Sequence, residues 1–289
     1  MLGTTRMRGT LLALLLCWPA MLSAAESITI GVTDYPPFSN TDGDGLMSDI
    51  YRAAFAEVDI AVTIEVVPIP RGRLLFLNHN IDALSAGNLF VRPDERDQLL
   101  SVPVIKALPS LFFYMPHFDA PEKIVEVKDL RGFQVGIIVN SPLLPDYIEQ
   151  GLNVVEIQTP EQLLMMVKKQ RIDFFESALL TGLHLIQQQL PEERLHFDYL
   201  RWGVLESALA FHHRHPRAAR LHQQFQQGLQ RIRQSGELLA ILENYWGKGN
   251  VPQAVFIQQH PVQGTEQFKM NNYWLNAHGR SGRIQQSRP

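Results

Sequence analysis

The segment Asp34-Tyr35-Pro36-Pro37-Phe38 combines an acid, two aromatic rings and a rigid turn directly after a predicted strand at 28–32. Residues at the end of a strand in an open α/β sheet lie where such sheets bind ligands. We therefore predict that Tyr35 and Phe38 pack against the apolar part of a ligand or stack on a cation. Asp34 is expected to accept a hydrogen bond from an ammonium or amide group. Core packing of one ring is the alternative.

Two further polar segments follow predicted strands. Gly87 and Asn88 place backbone amides and a side-chain amide where they can orient a ligand, although turn chemistry explains them equally well. Asn140 and Ser141 stand between a strand and a helix, and the free N–H groups of a helix N-terminus favour an anion. An ordinary N-cap explains Ser141 equally well.

The segment His212-His213-Arg214-His215 raises the question of a metal site, because imidazoles close in sequence can converge on zinc. No cysteine or carboxylate stands next to these histidines in the sequence. We therefore interpret the segment as a polar turn between a strand and a helix, and predict no metal and no cofactor.

The elements that position these residues alternate between the periods of strands and helices. This alternation is typical of βαβ units and predicts an α/β fold. Strands are predicted at 28–32, 62–67, 82–86, 110–115, 134–139, 154–157, 172–175 and 205–212, and helices at 46–57, 72–78, 143–149, 160–169, 178–189, 216–233 and 236–245.

The first 25 residues have the pattern of a cleaved export signal. Arg6 and Arg8 precede an apolar run at 11–18, and Ser23-Ala24-Ala25 supplies small residues for cleavage before Glu26. The run is shorter than the roughly 20 apolar residues that a membrane-spanning helix needs. We therefore expect a periplasmic protein released by signal cleavage.

The composition narrows the classes of protein to which the chain could belong. The only cysteine is Cys17, inside the predicted signal, so no disulfide is expected in the mature chain. Removing Arg6 and Arg8 changes the net charge from −3 to −5, which does not favour nucleic acid as a partner. From 251 to 289 the periodicity fails, and we expect a poorly ordered tail.

Several short motifs, in one order, resemble those of the bacterial extracellular solute-binding proteins of family 3, the periplasmic receptors for polar amino acids. Seven weak motifs in sequence over about 220 residues are more specific than any one of them. The matching segments are 28–38, Gly45-Leu46 with Asp49, 81–87, 92–96 with 101–103, 127–132, 135–137 and 210–247.

The resemblance implies a two-lobed, periplasmic-binding-protein-like (type II) α/β fold with two hinge-crossing strands. Lobe 1 would comprise 26–110 plus 203–250 and lobe 2 would comprise 111–202. The ligand would be held between the lobes, which close around it by a hinge motion.

The family places a carboxylate-binding arginine near Arg92 and Arg96, and a guanidinium can hold a carboxylate through two parallel hydrogen bonds. The resemblance favours Arg96, while a solvated surface arginine is the alternative for both. Arg71 could add positive potential at the same cleft, with an ordinary solvated side chain as the alternative.

The family's ammonium-binding aspartate is replaced by Ala178, and its threonine shortly after Ala86-Gly87 is replaced by Leu89. Glu176 is the nearest acid and could still enter the cleft, while an outward, solvated side chain is the alternative.

These residues predict a periplasmic solute-binding protein for a small anionic or amino-acid-like ligand, such as an organic acid. An ABC-type importer with an inner-membrane permease is the expected partner, and we expect a monomer. A periplasmic sensory protein and a dehydratase-like enzyme on the same fold are the alternatives. The enzyme would use Glu176 or Asp34 as its general acid.

Overall fold

A computed structural model describes residues 26–117, 127–201 and 203–257. In chain order its strands are β1 Glu26–Val32, β2 Ile60–Val66, β3 Ala83–Ser85, β4 Leu99–Ala107, β5 Pro109–Tyr114, β6 Gln134–Ile138, β7 Asn153–Ile157, β8 Phe174–Ala178, β9 Phe197–Arg201 and β10 Leu205–His212. Its α-helices are α1 Leu46–Ala56, α2 Ile69–Leu77, α3 Gly87–Phe90, α4 Leu144–Glu149, α5 Pro160–Lys168, α6 Leu179–Gln189, α7 Ala218–Ser235 and α8 Glu237–Trp246.

The strands form two five-stranded sheets, one in each lobe. The first sheet has the order β2-β1-β3-β10-β4 and the second has the order β7-β6-β8-β5-β9. The chain passes from the first sheet to the second at Leu108 and returns between Arg201 and Leu205. This arrangement confirms the predicted two-lobed α/β fold. The predicted lobe limits, 26–110 plus 203–250 and 111–202, remain a prediction.

Each sheet has a parallel half that directs strand ends to the cleft between the lobes. In lobe 1, β1 pairs in parallel with β2 and β3, and in lobe 2, β6 pairs in parallel with β7 and β8. Helices cross between these strands, as parallel pairing requires. The loops after β1, β3, β6 and β8 therefore lie where an open α/β sheet places its ligand.

Two strands were not predicted, β4 and β9. The pairing of β4 with β10 shifts in register opposite Ser207 and Ala208. At this β-bulge, next to Pro103, β4 contains one residue more than β10. Arg233 on α7 donates to the carbonyl oxygens of Pro103 and Val104 at 2.9 and 3.1 Å. A proline and a bulge disturb the alternating pattern by which a strand is recognised.

The helices α1 and α7 pack closely against each other on lobe 1. A Cβ at Gly228 would lie 1.8 Å from the carbonyl oxygen of Ala54, so only glycine permits this approach. Leu221, Phe225 and Leu229 on α7 are fully buried. The predicted spacing of apolar residues on this helix therefore describes its core face.

The segment after α8 differs from the prediction of a tail beginning at 251. Residues Gln253–Val255 form a short 3-10 helix, and Val255 is 1% exposed. Phe256 and Val251 also pack against the core of lobe 1, which extends the packed chain to 257. The predicted signal at 1–25 and the remaining tail at 258–289 lie outside the described residues. Among the residues that are described, no helix is long and apolar enough to cross a membrane.

Candidate functional site

A cleft of about 230 Å³ lies between the two lobes. Most of its lining is apolar. Lobe 1 and the crossing segments contribute Thr33, Asp34, Tyr35, Phe38, Ser39, Met47, Ile69, Ser85, Ala86, Leu89, Phe90, Ala107, Pro109, Leu205 and Ser207, and lobe 2 contributes Ile138, Val139, Asn140, Ser141, Pro142, Leu143, Pro160, Leu163, Phe175, Glu176, Ser177 and Ala178.

The turn after β1 presents two rings to this cleft. Backbone hydrogen bonds between Tyr35 and Ser39 close the turn, with Tyr35 N–H donating to the Ser39 carbonyl at 2.8 Å. The Pro36–Pro37 peptide bond in it is cis. The rings of Tyr35 and Phe38 lie nearly parallel, with an interplanar angle of 14° and centroids 5.9 Å apart. The prediction that both residues lie at the cleft is therefore consistent with their positions.

Tyr35 also crosses the cleft. Its hydroxyl oxygen accepts a hydrogen bond from the backbone N–H of Ala178 on lobe 2 at 3.2 Å and lies 3.5 Å from the hydroxyl of Ser177. Burial and the nearby carboxyl group of Glu176 raise the pKa of the Tyr35 hydroxyl. A side chain of lobe 1 thus contacts the end of β8 in lobe 2 across the ligand-sized space.

Glu176 is the buried acid of the cleft, with 8% of its surface exposed. Burial raises the pKa of its carboxyl to about 7, and the hydroxyl of Ser141 opposes this rise by donating to Oε2 at 3.5 Å. Burial has this effect because a low-dielectric site disfavours the ionised form. Near neutral pH the side chain therefore exchanges readily between a hydrogen-bond donor and an anion.

Asp34 is a second acid, at the exposed edge of the cleft. Partial burial raises its pKa, and the negative charges of Glu161 on lobe 2 and Asp42 add to this effect. Acidic groups from both lobes consequently influence one another at this edge of the cleft. The electrostatic potential there favours a positive charge.

Asn140 and Ser141 both line the cleft, at the end of β6. Asn140 has a left-handed backbone with φ of 67°, a conformation that asparagine tolerates. The helix α4 begins at Leu144 and has only six residues, and Ser141 does not cap it. The hydroxyl of Ser141 instead accepts from the N–H of Leu143 at 3.3 Å and donates to Glu176. The interpretation of Ser141 as an N-cap is therefore wrong, and a six-residue helix gives little basis for the predicted anion site.

The three arginines expected at the ligand lie outside this lining. Arg92 and Arg96 are exposed at the 3-10 turn Pro93–Gln98. Glu95 occupies the inward side of that turn and is bound by Arg73, whose Nε lies 2.8 Å from Oε2. Because successive residues of a 3-10 helix are rotated by about 120°, a buried Glu95 directs Arg96 away from the interior.

Arg71 is likewise exposed, on the first turn of α2, although its neighbour Ile69 lines the cleft. The structure gives no support to the expectation that Arg71, Arg92 or Arg96 holds an anionic ligand in this cleft. Among the described residues that line it, lysine, arginine and histidine are all absent.

Gly87 and Asn88 have structural contacts instead of positions in the cleft lining. A Cβ at Gly87 would lie 2.6 Å from the Cβ of Ala210, so the glycine lets α3 approach β10. The side chain of Asn88 accepts from the N–H of Ala208 at 3.0 Å and donates to the carbonyl of Glu206 at 2.6 Å. Asn88 thereby pairs the backbone groups around the bulge in the β4–β10 ladder. Turn and packing chemistry explain both residues.

Sequence reasoning missed the apolar residues that replace the expected polar ones. Leu89 and Phe90 on α3 and Leu205 at the return crossing all line the cleft. Leu89 stands where the family resemblance led us to expect threonine, and that substitution was the one available signal. Ala178, at the position of the expected aspartate, lines the cleft as well and contributes its backbone N–H.

The histidine segment forms a hydrogen-bonded turn at the end of β10, outside the cleft lining. His212 accepts through Nδ1 from the N–H of Arg214 at 3.3 Å, and its Nε2 lies 3.2 Å from Oε1 of Gln98. The Nε2 atom of His215 lies 3.4 Å from Oδ1 of Asp82. Within the described ranges, no group of three His, Cys, Asp or Glu side chains has an arrangement that could hold a metal ion.

Comparisons with solved structures support the fold. A histidine kinase sensor domain with similarity to periplasmic binding proteins is 19% identical, with a TM-score of 0.62 over 76% of this chain and 96% of that chain. A substrate-binding protein of an ABC uptake transporter from Streptococcus pneumoniae, with bound histidine, is 18% identical, with a TM-score of 0.60 over 78% and 94%. The GluR0 ligand-binding core from Nostoc punctiforme, in complex with L-glutamate, is 13% identical, with a TM-score of 0.59 over 76% and 99%.

No family model and no curated protein matches the chain in sequence. At identities below 20%, the structural similarity establishes the two-lobed α/β fold class.

Proposed function

We propose that this chain is a small-molecule-binding protein whose two lobes close around a ligand in the cleft. The observation that carries the proposal is the contact of Tyr35 with Ala178 across an apolar cleft that also contains a buried acid. Apolar pockets with a few placed polar groups are typical of small-molecule sites. The structural neighbours add support, because the solved examples above include proteins with bound histidine and glutamate.

The test is a thermal-shift screen of the exported full chain, unfolded and refolded to remove any ligand acquired in the host. A ligand that binds only the folded state stabilises it by about 2.7 kcal/mol at a hundredfold excess over Kd. For a chain of this size that corresponds to a shift of several degrees. A broad library of amines, amino acids, organic acids and neutral metabolites that gives no shift would contradict the proposal.

The compartment in which the protein acts limits the partners that it can have. The predicted export signal at 1–25 favours the periplasm, and the intact mass of the exported chain tests whether cleavage occurs before Glu26. Delivery to an ABC-type permease and signalling to a sensor protein use the same cleft. The two roles are distinguished by crosslinking the liganded protein in membranes of its host and identifying the captured partner.

A second candidate function is catalysis in the same cleft, and the observation in its favour is Glu176. A buried carboxyl whose pKa is about 7 has the property of a general acid that works at neutral pH. Nuclear magnetic resonance of each bound compound over hours distinguishes the two functions. A binding protein returns the compound unchanged, whereas an enzyme converts it at a rate that Glu176→Gln abolishes.

A further inference from the structure

The cleft contains one sign of charge. Glu176 in lobe 2 and Asp34 in lobe 1 both line it, and Glu161 from lobe 2 lies near enough to raise the pKa of Asp34. The described lining residues supply no cationic side chain that could balance these acids. A ligand with a positively charged group would supply the counter-charge that these acids lack. Such a counter-charge is favourable because burying an isolated carboxylate is costly.

Glu176 also has an unused hydrogen-bonding site. Ser141 donates to Oε2 at the long distance of 3.5 Å, and in the described part of the chain Oε1 has no hydrogen-bond partner. The residue is more than nine-tenths buried, yet it faces a cavity. An ammonium group has three donors and can pair with such a carboxylate directly.

The rest of the cleft favours an apolar body. Tyr35 and Phe38 present stacked rings on one side, and Leu89 and Phe90 add further apolar surface. A cation beside the face of an aromatic ring is attracted by its quadrupole. The volume of about 230 Å³ is below the range of pockets that hold drug-sized molecules, so the ligand is small.

A carboxylate ligand has no comparable place in this cleft. It would be buried beside Asp34 and Glu176, while Arg71, Arg92 and Arg96 are exposed outside the lining. Like charges brought together in a desolvated cleft repel and raise the cost of burial. The geometry thus disfavours both simple organic acids and the carboxylate end of an α-amino acid.

We propose that the cleft selects a small primary amine with an apolar body and no carboxylate, whose ammonium group pairs with Glu176 while its body packs on Tyr35 and Phe38. This inference rests on the proposed binding function and names its ligand class. It replaces the anionic ligand that the sequence favoured.

The experiment is isothermal titration calorimetry of the refolded full chain with four matched probes. Phenethylamine carries the amine, 3-phenylpropionate the carboxylate, phenylalanine both groups and 2-phenylethanol neither. Cyclohexylamine and hexylamine extend the amine class to other apolar bodies. Titrations at pH 6 and pH 8 keep the alkylammonium groups charged, since such amines titrate near the ordinary pKa of lysine, about 10.4.

We expect at least one amine to bind more tightly than its carboxylate and alcohol counterparts. Its affinity should rise about tenfold from pH 6 to pH 8, because the ammonium group binds the ionised form of Glu176 and a carboxyl of pKa about 7 becomes mostly ionised over this interval. Repeating the titration at pH 6 in buffers of different ionisation enthalpy should show proton release on binding.

Glu176→Gln keeps the size of the side chain and removes its charge, so it should weaken amine binding at pH 8 by tenfold or more and abolish the dependence on pH. The matched controls are Glu156→Gln, an exposed glutamate on β7, and Arg96→Ala, and both should bind as the parent does. Circular dichroism of each variant verifies folding.

Tighter binding of 3-phenylpropionate than phenethylamine, or loss of binding in Arg96→Ala, would overturn the amine proposal while leaving the binding function intact. The amine proposal would also be overturned, and the binding function left intact, if only compounds without an amine group shifted the melting temperature in the library screen. Failure of every compound in that screen would instead overturn both proposals.

Discussion

Glu176 shows how a single residue can couple the site to pH. Its carboxyl has a pKa of about 7 in the folded protein, above its ordinary value of 4.5, because it is buried. The folded state therefore holds a proton between these two values that the unfolded state has lost. The stabilisation that this bound proton gives the folded state is complete below about pH 4.5, and it is lost as the pH rises through 7.

Glu176→Gln removes this pH-dependent loss. We expect the variant to gain stability over the parent between pH 5 and pH 8, by up to about 3 kcal/mol for a shift of this size. Urea unfolding of the ligand-free proteins at both pH values measures the difference. Glu156→Gln on the exposed side of lobe 2 is the control, and an equal change in both variants would argue against a buried origin.

Tyr35 has a different role, because its hydroxyl joins the lobes. Tyr35→Phe removes the acceptor of the Ala178 N–H and should weaken phenethylamine binding by about fivefold, since a neutral hydrogen bond contributes about 1 kcal/mol. Tyr114→Phe is the matched control, because it removes a hydrogen bond of 2.9 Å from the Tyr114 hydroxyl to Glu193 that lies within lobe 2 and outside the cleft lining. Equal losses in calorimetry for the two variants would contradict a role in closing the cleft.

For single residues, the sequence predicted the position in the fold better than the direction of the side chain. Tyr35, Phe38 and Ser141 follow strand ends, and a strand end fixes which edge of the sheet a residue occupies. Arg96 illustrates the opposite case, because a rotation of about 120° in a 3-10 turn decides whether a side chain faces the protein interior or the solvent. The buried ion pair of Arg73 with Glu95 sets that rotation, and it depends on a contact between elements that sequence spacing does not reveal.

At the scale of elements, Asn88 connects α3 to the bulge in the β4–β10 ladder. Asn88→Ala leaves the Ala208 N–H without its acceptor, so we expect a loss of about 1–3 kcal/mol in unfolding free energy. Arg92→Ala, an exposed change four residues along the chain, should leave stability within about 0.5 kcal/mol of the parent. Urea unfolding compares the two. If Asn88→Ala has the stability of the parent but loses amine binding, Asn88 is a ligand residue after all.

The crossing of α1 and α7 depends on Gly228. An alanine there would place its Cβ within 1.8 Å of the Ala54 carbonyl oxygen, and backbone atoms must move to make room. We expect Gly228→Ala to lower the unfolding free energy by more than about 2 kcal/mol. Gln227→Ala, at the exposed neighbouring position, should change it little. Thermal unfolding is sufficient to separate these outcomes, and two equally stable variants would contradict the close crossing.

The elements themselves were predictable where their pattern was regular. The apolar residues of α7 follow helical spacing, and β1 alternates Ile28, Ile30 and Val32 with polar or small residues. β4 was missed because Pro103 and a bulge interrupt its alternation. Residues 251–257 were taken for a tail because their few apolar residues have no period, yet Val255 is buried against lobe 1. Burial of such isolated residues depends on the surface that receives them, which only the folded chain supplies.

For the whole molecule, we expect the hinge where the chain changes sheets, at Leu108 and between Arg201 and Leu205. Ligand binding in the cleft should favour the closed arrangement, because only there do both lobes contact the ligand. We expect saturating phenethylamine, or the tightest amine found, to lower the radius of gyration measured by small-angle X-ray scattering. Glu176→Gln at the same probe concentration should remain closer to the ligand-free value. A radius that is identical with and without bound ligand would contradict ligand-dependent closure.

A small amine bound between the lobes at Glu176 would be visible in a crystal structure of the full chain with its tightest amine. We predict ligand density in the cleft, with the nitrogen within about 3.2 Å of the Glu176 carboxylate and the apolar body against Tyr35 and Phe38. Density at Arg96 or elsewhere on the surface, or an amine whose nitrogen points away from Glu176, would contradict the claim.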